Sequence, residues 1–338
     1  MAQRVSIKDV ALRAGVSWKT VSNVVHERPV VKEATRRRVL EAIEELGYVP
    51  NLAARDLRGG PTRIISLVVP ELQNPYFARL AERMQAAARD RERSVSVEVS
   101  LGSARVERAH VLGRVPRPAD AVIISPAALL PADFAGRESG PRTVLLGERI
   151  PAAEDVVHVA IDNVASAADV VRHLADQGRR RLLFLGAETV PPSTGADRLI
   201  GYRAACRFAG IEIDPDLLRP VAHWNREAGR DAVRAALVQG VVFDAVIAVN
   251  DLLAIGALEA LRAQGAAVPE QVAVVGWDDV PESAFAVPPL SSVAPDLDAL
   301  VAAALDAATD PGPGTAAEVV VPHRLVVRES SGGARADG

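Results

Sequence analysis

The chain has little of what extracellular stability or metal chemistry would need. Its 338 residues include one cysteine, Cys206, so no disulfide framework can form within it. That thiol falls in a helical pattern, where buried packing suits it better than nucleophilic attack. The six histidines are scattered at 26, 110, 158, 173, 223 and 323. None of them makes an HxxxH pair, and there is no CxxC, so no metal set and no metal cofactor is expected. A Gly-Lys-Ser/Thr phosphate loop and a GxSxG elbow are also absent, which leaves no recognisable catalytic constellation; no catalytic residue is assigned and no enzyme is expected. No run approaches the roughly 20 apolar residues of a membrane span, and Met1 to Val5 carry no signal-type apolar core. A cytoplasmic protein with no membrane partner is the expectation.

What is present is ordinary for a folded chain: 49% hydrophobic and 24% charged residues. The length exceeds one core and implies two or three lobes. The net charge of −4 is unevenly spread. Residues 1–63 hold twelve Lys and Arg against seven Asp and Glu, a net of +5, which leaves −9 for the remainder. A small basic module on an acidic body suits a polyanionic partner.

Ile7, Val10, Ala11 and Ala14 recur at the spacing of one helical stripe. Ser6 can cap that helix and Gly15 can stop it. Ser17 can cap a second helix whose buried face is Val21, Val24 and Val25. Its outward residues are Trp18, Lys19, Thr20, Ser22, Asn23 and His26, a polar face of the width that enters a DNA major groove. A helical hairpin with a solvated face is the alternative. A third helix spans Glu33 to Leu46 and ends at Gly47.

The runs Ser6-Ile-Lys-Asp-Val-Ala-Leu-Arg-Ala-Gly-Val-Ser17, Thr20-Val-Ser-Asn-Val24, Thr35 to Asn51 and Ala54-Arg-Asp-Leu57 resemble the head of the lactose-repressor (LacI) family. The resemblance implies a transcriptional regulator, most simply a repressor, acting on double-stranded operator DNA. It implies base reading by Trp18, Lys19 and Asn23, with His26 on the same face. Backbone contacts fall to Ser6, Ser17, Thr20, Ser22 and Asn51. Asn23 stands where several relatives carry Arg, and Asn favours adenine over guanine edges. Lys32 replaces the serine that usually caps the third helix. Residues 51–62 then read as a hinge, too short to be a stable helix alone. By the resemblance Leu57 wedges a base step and Ala54 lets paired hinge helices pack closely.

Beyond the hinge, apolar strand-like runs alternate with helical patterns: Ile64–Val69, Val95–Val99, Ala121–Ile124, Val144–Leu146, Val156–Ile161, Leu182–Leu185, Ala245–Val249 and Val272–Val275. Such alternation implies parallel sheets covered on both faces, with ligands at the carboxyl ends of the strands. The expected architecture is an all-α helix-turn-helix head on an α/β body of two doubly wound lobes, of periplasmic-binding-protein type. The head is residues 1–50. Lobe one is 63–161 plus 292–319, lobe two is 162–291 plus 320–330, and 331–338 form a flexible tail.

The residues after each strand include aromatics, amides, carboxylates and one arginine, a set that suits a sugar and also a purine. Asn74-Pro-Tyr-Phe77, Ile161-Asp-Asn163, Arg198-Leu-Ile-Gly-Tyr202, Asn250-Asp251 and Val274-Val-Gly-Trp-Asp-Asp279 extend the LacI resemblance across the body. It implies an effector cleft lined by Asn74, Tyr76, Phe77, Thr194, Arg198, Trp224, Asn250 and Asp278. Asp162, Asn163 and Asp251 are equally suited to capping helices, and Trp277 to packing. Pro191 and Pro192 depart from the family pattern. A homodimer, extendable to a tetramer, would match two heads to a two-fold operator. A purine-like or protein co-repressor, or a solute-binding protein with the same body, are the other readings left open.

Overall fold

The computed structural model describes residues 5–25, 28, 30–48, 62–134, 140–150, 156–187, 193–309 and 318–332. It divides into two units, Met1–Thr62 and Arg63–Gly338.

In the first unit, α1 (Ile7–Ala14), α2 (Trp18–Val25) and α3 (Glu33–Leu46) enclose Val10, Ala11, Ala14, Val21, Val24, Val39, Ala42 and Tyr48. The caps explain the short helices. The Asp9 carboxylate accepts both the backbone N–H and the hydroxyl of Ser6, at 2.8 and 2.7 Å. Gly15 and Gly47 end α1 and α3 in the left-handed conformation, at φ 64° and 59°. At α2 the hydroxyl of Ser17 accepts the Thr20 N–H. Lys32 makes no side-chain cap on α3.

The second unit holds two six-stranded sheets. In the first, β1 (Ile64–Val69), β2 (Ser94–Val99), β3 (Ala121–Ile124), β4 (Arg142–Leu146), β5 (Val156–Ile161) and β11 (Glu318–Val321) run parallel in the order 11-5-4-3-1-2. The second contains β6 (Leu182–Leu185), β7 (Leu218–Arg219), β8 (Ala245–Ala248), β9 (Ala273–Trp277), β10 (Ser291–Pro295) and β12 (His323–Val326), in the order 12-10-9-8-6-7. Only β12 is antiparallel there. The apolar run of β1 serves both faces of its sheet. Ile65, Leu67 and Val69 pack with Leu80 and Met84 of α4 (Pro75–Arg89) and with Leu300 and Leu305 of α10 (Leu297–Thr309). Val68 packs on the other face with Val111 of α5 (Ala104–Val111). The second sheet is covered by α6 (Asn163–Asp176), α7 (Thr194–Phe208), α8 (Arg226–Val238) and α9 (Asp251–Ala263).

Strand order reverses beside β1 in the first sheet and beside β6 in the second. A crevice lies outside the carboxyl ends of the strands at such a switch point.

The crossings between lobes fall later in the chain than the apolar runs suggested. Ser292 to Pro295, expected in lobe one, lie in β10 of the second sheet, because that strand pairs with β9 and β12. Val320 and Val321, expected in lobe two, pair with β5 in the first sheet. The chain therefore crosses at Asp296 and Pro322. Ser331, expected in the tail, is fully buried, and its hydroxyl bonds Ser291 and His173. A Gly/Ser-rich composition hid the fact that these hydroxyls have partners.

Candidate functional site

On the head, Ser17, Trp18 and Lys19 are exposed, and Thr20, Ser22 and Asn23 are half-buried on the same helix. The Lys19 ammonium lies 5.9 Å from the centre of the Trp18 ring. Burying Val21 and Val24 turns this face outward. His26, Asn51, Ala54 and Leu57 lie outside the described residues.

In the body, Asn74 and Tyr76 of lobe one meet Arg198 and Asp278 of lobe two, while Trp224 and Asn250 contact each other within lobe two. Asn74 caps α4, accepting the Tyr76 N–H at 3.0 Å. Its remaining amide group donates to the carboxylate of Asp278, just past β9 in the other lobe. Tyr76 and Phe77 meet edge to face, 5.2 Å between ring centres. Burial and the nearby Asp278 hold the Tyr76 phenol above its ordinary range. Thr194 begins α7. Its N–H and hydroxyl both donate to Glu148 of lobe one, at 2.5 and 3.0 Å.

Arg198 is 7% exposed. Its Nε donates to Asn163 Oδ1 at 2.9 Å, its Nη1 donates to the Val249 carbonyl, and its guanidinium lies 5.2 Å from the Trp277 ring centre. The buried cation is thus held by acceptors and an aromatic face. Asp278 faces it. Burial raises the Asp278 carboxyl to about 6, against the opposing pull of Arg198, the Asn74 amide and Arg79. Asp278 and Asp279 also occupy left-handed backbone, at φ 98° and 46°. That conformation is sparsely populated outside glycine, and such strain clusters at ligand sites. Arg79 donates to the Asp279 carbonyl across the lobes at 2.5 Å.

The Trp224 ring lies against Gly195, where an added β-carbon would come within 3.0 Å of Cζ2. Asn250 donates to the Trp224 carbonyl at 3.0 Å and accepts the Leu253 N–H, so both ends of its amide are engaged. Beside the crossing strands a concavity of about 340 Å³ opens, bordered by Arg79, Arg83, Asp278, Asp279, Asp298 and His323. Asp278 alone of the expected cleft residues borders it.

Three ambiguous positions have structural partners. Asp162 caps α6 through the Ala165 N–H. Asp251 is fully buried and accepts from Ser283, Ser292 and the Val280 N–H. The Trp277 indole donates to Ser166. Glu148 went unnoticed in the sequence, although it follows β4 closely. Position after a strand was the available signal, but the flanking Gly and Arg gave it no motif. Among the described residues no cluster fit to hold a metal ion is found. No helix among them is long and apolar enough to cross a membrane.

A basic three-helix head with a polar second helix, followed by two doubly wound lobes meeting at a polar cleft, defines a DNA-binding head joined to a periplasmic-binding-protein-like body. Residues 6–51 match the family of bacterial regulatory proteins, lacI family, and residues 171–331 match a periplasmic binding protein-like domain. The HTH-type transcriptional regulator AscG of Escherichia coli (strain K12) is 34% identical over 290 residues, 84% of this chain and 85% of that protein. A putative LacI-family regulator from Sanguibacter keddieii has a similar structure, with a TM-score of 0.71 and 35% identity over 81% of this chain and all of the other. A complex of the transcriptional regulator CelR with cellobiose aligns over 97% of this chain and 100% of that one, with a TM-score of 0.68 and 30% identity. The chain belongs to the LacI family and is a DNA-binding transcriptional regulator.

Proposed function

We propose that this regulator is a repressor whose hold on its operator is set by a sugar or sugar derivative bound between the two lobes of residues 63–332. The observation that carries the reading is the meeting of paired donors and acceptors from both lobes: Asn74 with Asp278, Glu148 with Thr194, and Arg198 behind them. A polyol offers each hydroxyl as both donor and acceptor, and Trp224 and Tyr76 supply flat faces. The CelR–cellobiose complex supports a sugar over a purine. Effector contacts are assigned to Asn74, Tyr76, Phe77, Thr194, Arg198, Trp224, Asn250 and Asp278, with Glu148 added.

The head, residues 1–50, reads base edges through Trp18, Lys19, Asn23 and His26, and grips phosphates through Ser6, Ser17, Thr20, Ser22 and Asn51. Residues 51–62 are the hinge, with Ala54 and Leu57 at the minor groove. Two copies pair so that two heads meet two half-sites. The protein works in the cytoplasm, where the DNA is, and does so without catalysis.

The test is operator binding by the purified chain, followed by fluorescence anisotropy, with and without a panel of mono- and disaccharides. One sugar is expected to change operator affinity tenfold or more, a coupling of about 1.4 kcal/mol. If no duplex sequence competes better than random DNA, the DNA reading fails. If no sugar moves either operator affinity or the melting temperature, the sugar reading fails and a purine-like or protein co-repressor takes its place.

A further inference from the structure

At the end of lobe one opposite the cleft, where β3 and β4 begin, a second recess of about 300 Å³ opens. Its floor carries two polar side chains from different elements, Ser66 of β1 and His110 of α5, 5% and 8% exposed. Its walls include Leu112, Val115, Val122 and Pro141. Among the described residues no charged side chain lines it.

The two polar groups are not equally satisfied. Ser66 Oγ and His110 Nδ1 are 3.4 Å apart, a long contact. The other imidazole nitrogen, Nε2, keeps accessible surface and has no hydrogen-bond partner among the described residues. Burial holds the imidazole below its ordinary value despite the carboxylate of Glu98, so the ring is neutral near pH 7.

These features define a ligand class. A cavity of roughly 150 Å³ accommodates benzene, so the recess has room for a bicyclic ring. A sugar would leave several hydroxyls against Leu112, Val115 and Val122 without partners, at a cost for each. An anion would find no cation among the described lining. A phenolic hydroxyl can donate or accept, and therefore suits either tautomer of His110.

We propose that this recess is a second small-molecule site, which takes a neutral aromatic compound bearing one hydroxyl or ring N–H and hydrogen-bonds it to His110 Nε2. The site stands apart from the inter-lobe cleft and does not depend on the sugar reading.

Phenol and indole are the probes, titrated into the full-length protein by calorimetry while the histidine side-chain nitrogens are followed by NMR. Saturable binding is expected, with the His110 resonances moving first. Leu112→Trp fills the recess and should abolish binding; Val115→Trp gives the same reading if the first variant does not fold. His110→Phe keeps the ring but loses the nitrogen, and should weaken binding about tenfold. Arg198→Met, in the cleft, should leave phenol binding intact. Absence of saturable binding by either probe overturns the proposal. So does unchanged affinity in a folded filling variant, or in His110→Phe.

Discussion

Asp278 is an ionised carboxylate kept where ionisation is costly, and replacing it should reveal that cost. Its pKa rises from an ordinary 3.8 to about 6, with burial as the largest cause. A pKa raised in the folded state gives stability that is complete below the unfolded value and lost as pH rises through the folded one. The wild type should therefore lose stability between about pH 4 and pH 6, by about 3 kcal/mol at about 1.4 kcal/mol per pH unit. Asp278→Asn removes the ionisation while keeping an oxygen to accept from Asn74. Asparagine also tolerates the φ of 98° better than most residues. The variant should match the wild type near pH 4 and exceed it at pH 8 by up to about 3 kcal/mol. For a body of this size that is a rise in Tm of about 6 °C. Asp251 sharpens the contrast, since its carboxyl is pushed up by burial and by Asp278, and loses one of those causes in the variant. Thermal melts of both proteins across pH 4 to 8 test this. A difference that does not change with pH, or a variant less stable at pH 8, refutes the reasoning. The same substitution should abolish the response of operator binding to sugar while leaving operator affinity unaltered.

The other predictions concern packing, the head and the lobe junction. An added β-carbon at Gly256 would lie 1.9 Å from the Arg226 carbonyl, so Gly256→Ala must push α9 from α8 and should lower the urea midpoint by the equivalent of about 3 kcal/mol. Asp9 is held below its ordinary pKa by hydrogen bonds from Ser6. That stabilisation is present above the ordinary value and lost as pH falls through the lowered one. Asp9→Asn should therefore speed amide exchange in α1 at pH 7, and the difference should shrink as pH falls below the ordinary carboxylate value. Glu148→Gln leaves Thr194 with a neutral acceptor; exchange of the Thr194 amide should quicken about tenfold, since hydrogen bonds to charged groups are worth about 1.5–3 kcal/mol.

The head was legible because its information is local. Stripes such as Val10, Ala11 and Ala14, and stops at Gly15 and Gly47, are read within a few residues of each other, and the structure uses them that way. Ser6 and Asp9 close a capping box at the start of α1, with the Asp9 carboxylate accepting the Ser6 N–H and hydroxyl. In the body, strands buried on both faces announced themselves as apolar runs. What the pattern could not convey was which sheet each run joins. β10 and β12 are short, and their partners lie far away in sequence; Val293 pairs with Trp277 and Leu325. Serines 291, 292, 330 and 331 give no apolar signal, yet all four are buried and their hydroxyls are bonded within the second lobe.

The cleft also sets how strongly a ligand can act through it. The lobes already meet through direct bonds: Glu148 to Thr194, Asn74 to Asp278, and Arg79 to the Asp279 carbonyl. On the proposed reading, a sugar that enters exchanges some of these for bonds to its own hydroxyls. Its effect on the lobe arrangement is then a difference between two sets of similar hydrogen bonds, not the sum of the new ones. A net of one or two bonds amounts to about 1–3 kcal/mol, the usual span of coupling between sites. Arg198 is less exchangeable, because its acceptors, Asn163 and Val249, both lie in lobe two and stay fixed whichever way the lobes move. Arg198→Lys, which cannot keep both bonds and the Trp277 contact, should weaken sugar binding by tenfold or more while Glu148→Gln mainly changes the coupling to DNA. Titrating sugar against each variant, with and without operator present, separates the two roles. Equal losses in both measurements for both variants would show that the residues act as one undivided site.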